Sequence, residues 1–209
     1  SFFQTFKQSR KGKTGGTTTD EEQDLLRAMV VFAAAGLDSM LKQIVKDALP
    51  EILKKSKAAQ GELQKYTQRA LRGKSRAIGS EADEGDDWPE IDFRFLAEIL
   101  IADTPRDAVI KRLIENLIGE SLQSTTQIFK VTRCLGLDDK SLGLSKDKDK
   151  YDEVFKSRNQ IIHEMDIDFS SSNRNRFARK QKEMQDATKI LLELGREILS
   201  AVDSLLCKT

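Results

Sequence analysis

Apolar residues recur every three or four positions along most of this chain, which is the spacing of one face of an α-helix. One long stripe covers residues 25–45 and predicts a long first helix. Thr19 and Glu22 have the capping-box spacing that marks a helix start, and the helix is expected to end before Pro50. A second long stripe, over residues 177–205, predicts a long last helix.

The same spacing predicts shorter helices between these two. They cover approximately residues 50–71, 91–101, 105–118, 121–135 and 146–163, and the last long helix is expected to begin near Asn173. No stretch alternates apolar and polar residues as a half-buried strand would. We therefore expect an all-α bundle of about six to seven helices with long first and last members.

The composition favours one domain. A chain of 209 residues, 38% hydrophobic and 33% charged, can bury one sizeable core and is short for two ordinary domains. We expect a single domain over residues 20–207, a flexible basic tail at 1–19 and a mobile acidic loop at about 73–90. Lysine and arginine number 35 against 34 aspartates and glutamates, so any attraction for nucleic acid must come from local patches.

Cysteine usage and hydropathy predict a cytoplasmic protein without membrane contact. Cys134 and Cys207 lie far apart without a CxxC spacing or a histidine partner, so both are expected to be reduced thiols. No uninterrupted apolar stretch approaches the roughly 18 residues that a spanning helix requires. A single histidine without a ligand constellation disfavours a metal enzyme, and we expect neither a metal site nor a cofactor.

The clearest candidate chemistry lies at the end of the helix predicted over residues 146–163. The run from Arg158 through Asn159 to His163 combines a cation, an amide and the only histidine of the chain. Histidine is the side chain whose unperturbed pKa lies nearest to neutral pH, so His163 is the leading candidate for acid-base chemistry. Asn159 and His163 are four residues apart on one helical face, where the amide can hydrogen-bond the imidazole. Together the three side chains suit a phosphate.

A structural explanation of the same histidine is also open. His163 can simply end a helix, since its partial charge complements the negative end of the helix macrodipole. Asp38 leaves two alternatives as well, because it falls among the apolar positions of the first helix. An unpaired carboxylate is costly to bury, so it either rotates to solvent or meets a partner such as Arg158.

A cluster of basic residues precedes the last long helix and is a candidate RNA-binding surface. Its members are Arg174, Arg176, Arg179, Lys180 and Lys182. Cations at a helix N-terminus oppose the macrodipole, and an RNA phosphate would be favourable there. An ordinary solvated basic face is the alternative explanation, because exposed lysine and arginine are common.

The arrangement resembles the HEPN superfamily, an all-α bundle whose signature is arginine, usually a polar residue, and then histidine four to six residues later. Here the signature is Arg158-Asn159 to His163. The resemblance is closest to the RiboL-PSP-like branch. Two stretches carry it. One is Glu120-Ser121-Leu122-Gln123-Ser124, which opens a helix ending in Leu135-Gly136-Leu137, and the other is Phe155-Lys156-Ser157-Arg158-Asn159-Gln160-Ile161-Ile162-His163-Glu164.

This resemblance implies a metal-independent endoribonuclease that forms 2′,3′-cyclic phosphate and 5′-hydroxyl ends, acting as a toxin or phage-defence effector. His163 would transfer protons, Arg158 would stabilise the charge on phosphorus, and Asn159 would hold His163 or the phosphate. Because the reaction has two proton transfers and the chain one histidine, we expect a homodimer whose two motifs share one active site.

The alternative function is a catalytically silent module that uses the same helical surface to bind a protein, nucleotide or RNA partner. Some relatives in the resembled superfamily are toxins held by an antitoxin that modifies a tyrosine two residues after the motif histidine. Met165 occupies that position here, so neutralisation by this chemistry is in doubt, while simple binding of an antitoxin or defence-system partner stays open.

Overall fold

A computed structural model describes residues 19–71, 93–138, 142–144, 146–170 and 172–207, together with residues 5 and 8. Most of the predicted basic tail and all of the predicted acidic loop at 73–90 lie outside these residues. The helices are α1 (Asp20–Lys55), α2 (Lys57–Leu71), α3 (Phe93–Leu100), α4 (Pro105–Gly119), α5 (Thr125–Cys134), α6 (Lys148–His163) and α7 (Gln181–Leu206). The predicted all-α class with long first and last helices is confirmed.

The capping box of α1 forms as predicted. Thr19 Oγ1 accepts a hydrogen bond from the Glu22 amide at 3.3 Å, and a Glu22 carboxylate oxygen accepts one from the Thr19 amide at 3.0 Å. These two bonds satisfy backbone donors that the first helical turn leaves free. Asp20, Glu21 and Glu22 also place acidic side chains at the positive end of the helix dipole.

The prediction that the first helix ends before Pro50 is wrong. Pro50 lies inside α1, which continues to Lys55, and α2 begins only at Lys57. Proline removes one backbone hydrogen bond, yet Leu49, Ile52 and Leu53 around it are at most 1% exposed, so packing holds the helix together. The boundary falls at Ser56, which leaves the helical conformation and accepts a hydrogen bond from the Ala59 amide at 3.2 Å.

Helices α1 and α7 lie side by side and run in the same direction. Near their starts the Gln23 side chain exchanges hydrogen bonds with the backbone of Arg179. Further along, an added side-chain carbon at Gly195 would lie 3.0 Å from Met40 Cε. At their ends Lys55 Nζ donates to the carbonyl of Leu206 at 2.7 Å.

α1 also contacts α2, α4, α5 and α6, so it is the central helix of the core. By length and composition alone, α1 is also apolar enough to cross a membrane, a test that the buried core helix of a soluble protein passes as well. It is the one helix of the described chain that meets this criterion. In the bundle, Leu26, Val30 and Leu41 of α1 are 0% exposed.

The last helix begins at Gln181, so the predicted start near Asn173 is wrong. Phe177, which was assigned to its apolar stripe, lies in an extended segment before it. This segment folds back on the residues after α6 through the Phe177 amide, which donates to the Asp166 carbonyl at 2.8 Å. Positive φ angles at Met165 and Asp166 turn the chain there, a geometry that helical periodicity does not reveal.

The helix predicted from residue 121 begins later, at Thr125. Ser124 is its N-cap and accepts a hydrogen bond from the Gln127 amide at 3.3 Å. The residues before it are extended, and Leu122 among them is 1% exposed. Gly136 follows the helix with a φ of +71°, as expected of a glycine that stops a helix.

Both cysteines are free thiols, Cys134 buried and Cys207 exposed.

Candidate active site at the end of helix α6

The three motif residues lie on the last turns of α6, which ends at His163. His163 is exposed, and its imidazole makes no hydrogen bond or ion pair with another described residue. It is therefore accessible to a ligand from solvent.

Asn159 pairs with Arg158 and not with His163. Arg158 Nη1 donates to Asn159 Oδ1 at 2.8 Å. A hydrogen bond from a charged donor is stronger than one between neutral groups, which explains why the amide oxygen prefers the guanidinium. Asn159 thus orients the arginine of the motif, and the expected bond between the amide and the imidazole does not form in this structure.

Arg158 keeps hydrogen-bonding capacity that the described residues do not use. The side chain is half-buried, and its Nε is buried without a hydrogen-bond partner in the described part of the chain. Burial lowers the pKa of the Arg158 guanidinium, and the negative charge of Asp38 opposes this effect. A buried donor without an acceptor is unfavourable by itself.

Asp38 follows the second of the two alternatives, since it meets a partner, but that partner is not Arg158. Its side chain is 13% exposed, so it is not directed fully to solvent, and it forms no direct ion pair with Arg158. One carboxylate oxygen accepts from the Leu122 amide at 2.6 Å, and the other lies 3.0 Å from Lys42 Nζ. Asp38 therefore fastens the extended segment before α5 to α1 and acts on Arg158 only through its charge.

A buried carboxylate three residues after His163 holds the end of α6 in place. Asp166 is 0% exposed and accepts a hydrogen bond from Arg27 Nε at 2.7 Å. It also accepts two from Arg179, whose Nε lies 3.0 Å from Asp166 Oδ1 and whose Nη2 makes a second, shorter contact. The Asp166 amide in turn donates to the Gln160 carbonyl at 3.0 Å.

The same network reaches the side of α6. Arg179 Nη1 donates to Ser157 Oγ at 3.1 Å, and Arg179 Nη2 donates to Gln160 Oε1 at 3.3 Å. Arg27 Nη2 binds the carbonyl of Phe177 at 2.9 Å. Three chain segments, the start of α1, the end of α6 and the strand-like stretch before α7, are thereby joined around one carboxylate.

Sequence reasoning missed Asp166 and Arg27. A signal was present at Arg27, because it falls on the apolar stripe of α1, three residues before Val30, and a cation on a buried stripe requires an acid. Nothing in the sequence indicated which of the 34 acids it would meet. The partner lies 139 residues away, behind two residues with positive φ.

The basic residues of the predicted RNA surface have different environments. Arg179 is engaged in the network around Asp166, which makes it a structural residue. Arg176 Nη1 lies 3.0 Å from Asp24 Oδ1, and Arg176 Nε donates a hydrogen bond to the Met165 carbonyl. Lys180 is exposed and forms an ion pair with Glu183 at 3.0 Å. Arg174 is exposed and makes no hydrogen bond or ion pair with another described residue. Lys182 is exposed as well and, like Arg174, makes no hydrogen bond or ion pair with another described residue, so Arg174 and Lys182 are the two cations of this cluster without a partner among the described residues.

Three large apolar side chains within six residues of His163 in the sequence are exposed. Ile162 is 39% exposed, and Met165 and Phe169 are 72% and 61% exposed. We call Ile162, Met165 and Phe169 the apolar patch. A contiguous apolar surface on a folded protein often marks a contact with another molecule. Of the described histidine, cysteine and acidic residues, no three come close enough together to hold a metal ion.

Similarity to known proteins gives no independent family assignment. The HEPN resemblance rests on the residues of the motif, at the end of α6, and on the order of the helices around it. No family model matches this chain, and no match was found among curated proteins or among solved structures.

Proposed function

We propose that this protein is a metal-independent endoribonuclease of the HEPN type. The observation that carries the proposal is the presence, on the last turns of α6, of an exposed imidazole and, five residues before it, a half-buried guanidinium. Histidine is the side chain suited to proton transfer near neutral pH. Arg158 supplies a positive charge that Asn159 orients and that can stabilise an anionic oxygen.

The reaction that these groups support is transphosphorylation of RNA. One His163 takes the proton of a ribose 2′-hydroxyl, whose oxygen attacks the adjacent phosphorus. The bond from phosphorus to the 5′-oxygen of the next nucleotide breaks, and that oxygen receives a proton from a second, cationic imidazole. The products are a 2′,3′-cyclic phosphate and a 5′-hydroxyl, and Arg158 stabilises the charge that builds up on the phosphoryl oxygens.

A two-fold dimer would supply the second imidazole. The chain has one histidine, so acid and base must come from two subunits if both are imidazoles. The apolar patch beside His163 offers a surface that would bring the two α6 ends together, because a two-fold contact buries the same patch on both subunits. RNA phosphates would extend from this cleft towards Arg174 and Lys180.

Cleavage of single-stranded RNA in excess EDTA tests the proposal. We expect the parent protein to cleave and His163→Ala to lose activity by at least about 100-fold, which is the usual contribution of one acid-base group. Circular dichroism establishes that the variant is folded, which is expected because the imidazole is exposed and has no protein partner. Glu164→Ala, one residue away and exposed, serves as the matched control and should keep full activity.

Two results would contradict the proposal. Equal cleavage by parent and His163→Ala would remove the histidine from the chemistry. Activity that vanishes in EDTA and returns with a divalent cation would favour a metal-dependent reaction.

The second candidate is a catalytically silent module, and the apolar patch favours it as much as it favours a catalytic dimer. Met165 is 72% exposed directly after the motif, where a partner protein would bury it. A parent protein that binds RNA or a partner but does not cleave would support this function. In either case, a role as a toxin or antiviral effector is the biological setting that the resemblance suggests.

A further inference from the structure

A groove of about 600 Å³ runs between α1 and α4, and none of its lining residues belongs to the candidate active site. Its floor is aliphatic and consists of Pro50 from α1 with Ile110, Ile114 and Ile118 from α4. The three isoleucines are four residues apart and form one row along α4. Pockets for small molecules typically enclose about 300–1,000 Å³, so the groove is large enough for such a ligand.

Positive charge predominates around this floor. The charged residues of the lining are Lys46, Lys54, Arg106 and Lys111 against Asp107 and Glu115. Lys54 already pairs with Glu51 at 2.6 Å, and Arg106 donates to a backbone carbonyl of α1 at 3.0 Å. Lys46 and Lys111 make no hydrogen bond or ion pair with another described residue. Asp107 and Glu115, four residues on either side of Lys111, make no such bond either, so the attraction for an anion comes from the excess of two cations over acids in the lining, with Lys46 and Lys111 as its unpaired ammonium groups.

The chemistry of the lining identifies the kind of ligand. Nucleobases are usually held by stacking on aromatic rings, and no described residue that lines the groove is aromatic. An aliphatic row with unpaired lysines beside it is complementary to an alkyl chain that carries a carboxylate. From Arg106 to Ile118 the groove follows α4 for about 18 Å at 1.5 Å per residue, which suits one extended chain.

We propose that this groove binds a free single-chain fatty acid. The alkyl chain lies along Ile110, Ile114 and Ile118, and the carboxylate lies within reach of Lys46 and Lys111. This site is independent of the proposed ribonuclease activity, since it uses no residue of the α6 motif.

Isothermal titration calorimetry of the full chain with sodium dodecanoate, below its micelle concentration, tests the proposal. We expect saturable binding of one dodecanoate per chain. Decanoate and octanoate should bind progressively more weakly, by about fourfold for each methylene removed, because each methylene contributes apolar burial. Higher salt should weaken binding, since the lysines lie at the protein surface.

Two variants locate the site. Lys46→Glu combined with Lys111→Glu should weaken dodecanoate binding at least tenfold, because both free cations become anions. Lys189→Glu on α7 is the matched charge reversal outside the groove and should bind as the parent does. Ile114→Asp should abolish binding by placing a carboxylate in the aliphatic row. If Ile114→Asp unfolds, the lysine variant and its control decide the question.

Other outcomes would overturn the proposal. One is the absence of saturable dodecanoate binding by the parent. Another is equally tight binding of dodecyltrimethylammonium, which would mean that the cations do not select the ligand. A third is co-sedimentation with phosphatidylglycerol vesicles without binding of monomeric dodecanoate, which would make the groove a contact for a lipid surface.

Discussion

At the scale of single residues, the candidate site consists of one exposed proton-transfer group and one partly buried charge. The imidazole of His163 is held only by the backbone of α6, whereas Arg158 is oriented by Asn159 and lies in the field of Asp38. This difference suits different roles, because a charge that stabilises a transition state is most effective when it is already fixed and partly shielded from water.

The geometry of the guanidinium should therefore matter as much as its charge. Arg158→Ala is expected to lower RNA cleavage by about 100-fold or more, as the loss of other electrostatic stabilisers does. Arg158→Lys should recover little of this activity, because an ammonium keeps the charge and loses the planar pair of donors. Single-turnover cleavage rates measure the effect, with Lys156→Ala, an exposed neighbour on α6, as the control. Full activity of Arg158→Lys would mean that charge alone suffices.

The buried carboxylate of Asp166 should contribute far more to stability than an exposed one. In Asp166→Asn two guanidinium groups face a neutral amide, and we expect the free energy of unfolding to fall by about 3–5 kcal/mol. Asp24 pairs with Arg27 and Arg176, but its side chain is 58% exposed. We therefore expect Asp24→Asn to lower the free energy of unfolding by only about 0–1 kcal/mol. Urea unfolding followed by circular dichroism compares the two. Similar losses would show that burial of the Asp166 network contributes little.

The residues of the motif could be found from the sequence because Arg158, Asn159 and His163 lie within six residues on one predicted helix. The supporting residues could not, because Arg27, Asp166 and Arg179 meet only after the whole domain has folded. Arg179 illustrates the difference. Because Arg179 lies in a run of cations, the sequence predicted that it contacts RNA. In the structure its guanidinium donates hydrogen bonds to the side chains of Asp166, Ser157 and Gln160.

At the scale of helices, periodicity predicted where apolar faces lie better than it predicted where helices begin and end. The α6 bounds and the Thr19 cap agree with prediction. The end of α1 and the start of α7 do not. Pro50 was expected to end α1 because proline removes a backbone hydrogen bond of the helix. The packing of the buried residues on both sides of Pro50 outweighs this loss. The start of α7 was displaced by a turn whose positive φ angles have no periodic signal.

The turn after α5 offers a test of a helix ending. Gly136 has a φ of +71°, and an added Cβ would lie 2.6 Å from Ser56 Oγ and 3.0 Å from the Ala59 nitrogen. Gly143 has a similar φ of +63° but no neighbour within 4 Å of that position. Both alanine variants introduce the strain of a left-handed residue, about 1–2 kcal/mol. Gly136→Ala should lose about 1–3 kcal/mol more through overpacking.

Thermal and urea unfolding of the two glycine variants measure this difference. Since α2 carries Ala59, the larger loss in Gly136→Ala would show that the turn fixes α2 against α5. Equal losses would mean that α2 shifts away from the added methyl group without penalty.

At the scale of the whole molecule, the proposed activity requires two copies of the chain. Parent protein mixed with an excess of His163→Ala under conditions of subunit exchange should lose activity per parent subunit, because mixed dimers lack one imidazole. Cleavage rates at increasing proportions of the variant measure the effect, and size-exclusion chromatography with light scattering establishes the dimer. If the monomer is active, or if activity is proportional to the number of parent subunits in the mixture, another acid or base within one chain is required.

The parallel pairing of α1 with α7 has a consequence for biosynthesis. Gln23 and Arg179 are 156 residues apart, so the first helix leaves the ribosome long before its main packing partner exists. Until then the part of α1 that packs against α7 stays uncovered, which exposes the nascent chain to chaperones and to aggregation. A ribosome that has translated α6 has produced Arg158 and His163 but not Arg179, which completes their support. For an enzyme that cleaves RNA, this order would delay activity until synthesis of the domain is nearly complete.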